Sequence, residues 1–133
     1  RDSRTAPAID AVHSRVPAAE LYAATGLQRL PFNTVYQLAE DQLAGRLEGI
    51  DRFLLIPDLI TYWLTGRQFS ERTNASTTAL FNVHTGEWDD ALIERVGLPR
   101  GIFPELVSAG SAVGGLLPAI GSRIGLPGLE VST

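Results

Sequence analysis

The sequence predicts an α/β chain, mainly helical with a few short strands, and three observations carry that expectation. Pro and Gly fall at the ends of apolar-patterned segments often enough to bracket most elements. The stretch "EWDDALIERVGLP" carries both a helix start and a helix stop. From Gly97 onward the chain becomes rich in Gly and Pro, which predicts turns joining short strands. With 133 residues, 44% of them hydrophobic, there is apolar material for one core. No repeat, charge block or low-complexity linker divides it, so one unit without an internal boundary is expected.

The elements follow in order. Pro7 opens "PAIDAVHSRV", which ends before Pro17, and Pro17 opens "PAAELYAAT", closed by Gly26; Pro at the first helical position and Gly past the last predict two short helices. Asn33 or Thr34 can cap a third, "VYQLAEDQLA", whose Val35, Leu38, Ala39, Gln42 and Leu43 approximate a helical stripe ending at Gly45. "RFLLIPDLITYWLTG" joins a continuous apolar run, Phe53 to Ile56, to Leu59, Ile60, Trp63 and Leu64 at helical spacing. Pro57 excludes one helix through both, so a buried extended piece and then a helix to Gly66 are expected, both in the core. In "EWDDALIERVGLP", Asp89 is the N-cap, Trp88 and Ile93 occupy the staple positions, and Gly97 with Pro99 ends the helix. The closing "LEVST" reads as the start of a strand.

Several classes are excluded or disfavoured. Without Cys there is neither a disulfide framework nor a thiolate metal site, which favours a cytoplasmic protein. A net charge of -4 with scattered Arg supplies no phosphate-neutralising surface for nucleic acid. No apolar run is long enough to span a membrane. The absence of Met even at position 1 predicts a piece of a longer chain.

Little in the residues alone specifies chemistry. His13 and His84 stand far apart without ligand-spaced partners, so surface or capping roles are expected and no metal site. "AGSAVGGLLPAIG" lacks the Lys and spacing of a phosphate loop, and turns explain it better. Asp89 and Asp90 complement a helix dipole. Asp2 and Arg4 alternate, so on a strand they would share a face, available to a polyol or to an ion pair. "ERTNASTT" contains the sequon Asn74-Ala75-Ser76, yet Thr73 or Ser76 can equally cap backbone N–H groups. No catalytic residue and no complete active site emerges.

A resemblance adds what the residues do not. Asp58, Leu64-Thr65-Gly66, Thr73-Asn74-Ala75-Ser76, Trp88-Asp89, Pro99 and Pro104-Glu105, in that order and spacing, resemble the first domain of the FGGY carbohydrate kinases; Asp2-Ser3-Arg4 and Thr25-Gly26 resemble its upstream pieces. "TGLQRLPFNTVYQL" and "LLIPDLITYWLTG" are most similar to the rhamnulokinase branch. The resemblance implies a ribonuclease H-like, actin-like ATPase fold, with residues 1 to 133 forming the central part of the N-terminal, sugar-binding domain. It implies transfer of the ATP γ-phosphoryl group to a sugar hydroxyl, with ATP and Mg²⁺ serving the parent enzyme and no cofactor held by this piece. The phosphate loop belongs before Arg1 and the catalytic Asp after Thr133, so the piece is expected to be inactive alone.

Phe32 falls where glycerol kinases place a substrate-contacting aromatic. Phe32, Asn33 and Asp2 are therefore the candidate sugar-binding residues, with Phe32 in the core and Asn33 as an N-cap as the alternative. A ketose such as L-rhamnulose is the expected substrate. Other members of the family (glycerol, xylulose) and a noncatalytic interaction domain are the rivals. Its partners would be the sugar and the remainder of the kinase chain, and exposed apolar edges are expected to promote self-association.

Overall fold

A computed structural model describes residues 4–133, so Asp2 lies outside the described residues. Arg4 sits in a turn rather than on a strand and pairs with Asp41 at 2.7 Å, which removes the shared-face argument for it. Helices α1 (Ala6–Arg15) and α2 (Ala18–Thr25) begin at the two prolines as expected. Gly26 closes α2 in the left-handed region at φ 68°, where its N–H reaches the Tyr22 carbonyl at 2.7 Å. Helix α3 (Thr34–Leu43) buries Val35, Tyr36, Leu38 and Ala39. Leu43, expected on that stripe, is exposed beside an open cleft.

Helix α4 (Ile56–Thr65) carries Pro57 in its first turn and ends at Gly66, as its sequence predicts. Its placement differs from expectation. Ile56, Ile60 and Trp63 are 68%, 49% and 60% exposed, and the only buried residue of the helix is Asp58. Phe53, Leu54 and Leu55 before it are half-buried. The apolar period was correct, but a period does not say which side of a helix the rest of the chain covers.

The next segment is a sequence of short pieces: β1 (Ser70–Glu71), α5 (Arg72–Ala75), a 3₁₀ turn Ser76–Thr78, β2 (Phe81–Asn82) and β3 (Glu87–Trp88). Helix α5 is capped by Glu71, whose carboxylate accepts from Thr73 and Asn74 backbone N–H at 2.8 and 3.1 Å, so neither Thr73 nor Ser76 supplies that cap. Strands β2 and β3 form an antiparallel hairpin in the register Phe81↔Trp88.

Helix α6 (Asp90–Val96) matches its sequence most closely. The Asp89 carboxylate accepts from Leu92 N–H at 2.9 Å with one oxygen and from the Asn82 amide at 2.9 Å with the other. At the far end Gly97 has φ 87°, its N–H reaches Glu94 O at 2.9 Å and Leu98 N–H reaches Ile93 O at 3.0 Å, the paired bonds of a Schellman ending. Asp89→Ala removes the cap and strands the Asn82 amide; we expect a loss of about 1–2 kcal/mol in urea unfolding, with Asp89→Ser recovering most of it.

The C-terminal part holds a 3₁₀ turn Arg100–Ile102, β4 (Leu106–Val107), β5 (Ala112–Gly115), α7 (Pro118–Ile124) and β6 (Glu130–Ser132). Turns joining short strands were expected there, and α7 is the exception. Its sequence "PAIGSRI" contains Gly121, where a Cβ would come within 3.1 Å of Leu126 O and 3.2 Å of Pro127 Cα. The glycine that disguises the helix is what lets the following loop pack on it. Strand β4 pairs parallel with β1, and β6 pairs antiparallel with β5.

One core joins α1, α2, α3, α6 and the β2–β3 hairpin: Val12, Val16, Val35, Tyr36, Leu80 and Ile93 are essentially inaccessible and share a cluster with Trp88, Leu98 and Phe103. Each such side chain contributes on the order of 1.5–3 kcal/mol by burial. Helices α1 and α6 are also clasped by arginines, Arg15 to Val96 O at 2.8 Å and Arg95 to Arg15 O at 2.8 Å, with Glu20 pairing Arg95.

Candidate functional site

The Phe32–Asn33 pair sits on a loop fixed at several points. The Thr5 hydroxyl donates to Pro31 O at 2.9 Å, Asn33 N–H to Leu30 O at 2.9 Å, and Tyr36 N–H to Asn33 O at 3.0 Å. The two side chains go opposite ways. Phe32 is 47% exposed, which overturns the core alternative for it, whereas Asn33 is 7% exposed. Asn33 occupies the N-cap position of α3, but its side chain does not cap; the amide donates to Gln28 O at 2.9 Å and ties the loop together. The arrangement therefore displays an apolar ring on a rigid turn. Such a ring can pack against the C–H face of a sugar.

Both histidines are committed to the fold. His13 donates through Nδ1 to Val16 O at 3.0 Å, because a carbonyl only accepts, which leaves Nε2 to accept from the buried Tyr36 hydroxyl at 2.8 Å. Burial holds the Tyr36 pKa above the ordinary phenol value, with Arg29 opposing. His84 reaches Ala23 O at 2.9 Å.

A second polar centre lies under α4. Asp58 is 3% exposed, and its Oδ1 accepts from Glu71 N–H at 3.3 Å. Asp58 Oδ2, Ser70 Oγ and Asn74 Nδ2 are all buried and, among the described residues, none has a partner at hydrogen-bonding distance. Burial pushes the Asp58 carboxyl pKa up, the hydrogen bond from Glu71 N–H pulls against it, and the charge of Glu71 adds to the rise. Glu71 goes the other way: burial raises it, but the hydrogen bonds from Thr73 and Asn74 win and hold it low. A cleft of about 500 Å³ opens beside the group, with Asp58, Thr61, Asn74, Thr77 and Thr133 among its lining. The sequence marked Asp58 and Asn74 only as parts of a motif. The signal available was an acid without a counter-charge inside an apolar helical pattern.

These residues do not make a site for a metal–nucleotide pair. No group of three or more His, Asp or Glu among the described residues is placed to hold a metal ion, and the cleft beside Asp58 has no Lys or Arg in its lining to meet phosphates.

Comparison with known proteins decides the family. All of residues 1–133 match the N-terminal domain of the FGGY family of carbohydrate kinases. The chain belongs to the FGGY family of carbohydrate kinases. Its relatives include the rhamnulokinases of Ligilactobacillus salivarius and Bacillus subtilis, each 39% identical over 133 residues, which is 100% of this chain and 27% of theirs. The chain thus spans about a quarter of the length of these FGGY relatives. Among solved structures, the xylulose kinase of Rhodospirillum rubrum superposes with a TM-score of 0.88 at 19% identity, over 98% of this chain and 28% of that one. A carbohydrate kinase from Novosphingobium aromaticivorans gives 0.78 at 30% identity, over 96% and 27%. The fold is accordingly that of the FGGY sugar kinases, ribonuclease H-like, with this chain mainly helical and bearing a few short strands.

Proposed function

We propose that these residues form the central part of the sugar-binding domain of an FGGY kinase that phosphorylates a ketose such as L-rhamnulose in the cytoplasm. The observation that carries the reading is the 39% identity to rhamnulokinases along every residue of the chain. The likeness to xylulose kinase at 19% identity speaks for the fold alone. In this reading Phe32, with Asn33 behind it and Asp2 as a further candidate, supplies one wall of the sugar site. The exposed, loop-fixed ring of Phe32 supports that role. In this reading ATP and Mg²⁺ serve the longer enzyme. No helix of the described residues is long and apolar enough to cross a membrane.

The test is phosphoryl transfer. The longer enzyme should consume ATP with L-rhamnulose in preference to D-xylulose and glycerol, and residues 1–133 alone should give no turnover. Phe32→Ala in the longer enzyme should raise KM for the ketose by about tenfold, the change produced by roughly 1.4 kcal/mol of lost contact. Turnover by the 133-residue chain would overturn the reading, as would a longer enzyme that prefers glycerol.

A further inference from the structure

Phe32 stands at the third position of a tight turn. Asn33 N–H donates to Leu30 O at 2.9 Å and closes Leu30–Pro31–Phe32–Asn33 as a β-turn with proline at its second position. Among the described residues the non-glycine residue with a positive φ is Ala79, so Phe32 lies outside the left-handed region, which excludes a type II turn and leaves type I. The two types differ by a flip of the central peptide, here the one that joins Pro31 to Phe32. A peptide group is planar, so whatever holds the Pro31 carbonyl also aims the backbone of Phe32. The Thr5 hydroxyl holds it at 2.9 Å, from 26 residues away in the sequence. Both peptide groups that flank the Phe32 Cα are therefore pinned, one through the Pro31 carbonyl and one through the Asn33 N–H.

Thr5 forgoes another role to make this contact. It occupies the N-cap position of α1, where a threonine hydroxyl ordinarily accepts from an N–H of the first turn, yet it makes no such bond. Asn33 behaves alike at α3, sending its amide to Gln28 O at 2.9 Å. Glu71 and Asp89, by contrast, cap α5 and α6 with their side chains. Two side chains placed to cap helices are thus both turned to the loop that carries Phe32. Thr5 is 3% exposed, so its hydroxyl has no ready alternative in solvent.

We propose that Thr5 is a positioning residue for the sugar wall and acts through Phe32: its hydroxyl fixes the Pro31–Phe32 peptide and so the tilt at which the ring meets the ketose. The inference rests on the reading of Phe32 as part of the sugar site and adds to it a buried residue behind the ring. Ring packing on a C–H face is a sum of short-range contacts, so a small change of tilt weakens it. That face is remote from the hydroxyl that reacts, so ground state and transition state lose the same contact and KM moves rather than kcat.

Kinetics of the longer enzyme test it. Thr5→Val keeps the shape of the side chain and removes the donor; it should raise KM for L-rhamnulose about three- to tenfold with kcat within about twofold. Thr5→Ala loses the hydroxyl without setting a methyl against the turn and should show the same split. Thr5→Ser keeps the hydroxyl and should stay within about twofold of the parent KM. In the Phe32→Ala background Thr5→Val should raise KM no further, because the group it aims is gone. A KM unchanged by both Thr5→Val and Thr5→Ala, or a rise that persists in full without the ring, would overturn the proposal and leave Phe32 in the sugar site. A KM unchanged by Phe32→Ala would remove both readings together. Hydrogen exchange supplies a readout without substrate. In Thr5→Val the Asn33 N–H should exchange at least about tenfold faster, while the Val16 N–H at the end of α1, bonded to Val12 O at 2.8 Å, keeps its rate. Equal acceleration at both would assign Thr5 to the stability of α1 as a whole and count against the proposal.

Discussion

Trp88→Ala should cost about 3–5 kcal/mol, a large part of the 5–15 kcal/mol typical of a whole domain. The indole is buried at the meeting point of three elements. Its Nε1–H donates to Pro104 O at 2.8 Å, and its ring meets Phe53 and Phe103 edge to face with centroids 6.0 and 5.1 Å away. It is also the partner of Phe81 in the β2–β3 hairpin and the residue that precedes the Asp89 cap. Truncation leaves a cavity, breaks two aromatic contacts and deprives the Pro104 carbonyl of its donor. Thermal unfolding followed by circular dichroism should show Tm lower by roughly 10–20 °C. Trp88→Phe keeps most of the ring and should lose only about 1–2 kcal/mol, chiefly the hydrogen bond. A loss below about 1 kcal/mol for Trp88→Ala would mean that the cluster around it contributes far less than core truncations of this kind usually show.

Asp58→Asn should act in the opposite direction and stabilise the chain at neutral pH, because the amide carries no charge and avoids the cost of holding a desolvated carboxylate. Because burial raises the carboxyl pKa above 3.8, the folded state holds its proton at a pH where the unfolded state has released it. Stability from this group is therefore fully present below the unfolded value and is lost as pH rises through the folded value. The asparagine keeps an acceptor for Glu71 N–H, carries no charge and should remove that slope. Urea unfolding of both chains between pH 4 and pH 8 reads it directly: the two curves should converge toward pH 4 and separate toward neutrality. Parallel curves would show that Asp58 is not the group that titrates. A destabilising substitution at every pH would show that its negative charge is needed by the fold.

The two helices α6 and α4 show how far the sequence could be read. Both are amphipathic and both begin and end where their caps, prolines and glycines say they should. Local chemistry decided those boundaries, because Asp89, Pro57, Gly66 and Gly97 act within one turn of themselves. Burial is a property of the neighbours, and there the two helices part: Leu92, Ile93 and Val96 face inward while Ile56, Ile60 and Trp63 do not. Helix α7 escaped for a related reason, since Gly121 lowers helical propensity but is required by a loop that reaches it only in the folded chain. The candidate site follows the same division. That Phe32 and Asn33 are adjacent was legible; that one ring faces out and one amide faces in depends on Thr5 and Gln28, brought together by folding. The Asp58–Ser70–Asn74 group was not legible as a unit, because its members come from α4, β1 and α5 and meet only through packing.

The burial of the Asn74 amide bears on how the chain could be made in a foreign host. A glycan is attached through Nδ2, and in the folded chain that nitrogen is out of reach beneath α4. The sequon is thus silent once folding is complete. During passage through a secretory pathway, however, the acceptor is presented before α5 has docked. A sugar added then would occupy the space that Asp58 and Ser70 close over. The order of two events, modification and docking, would decide whether such a host yields folded protein or a trapped chain.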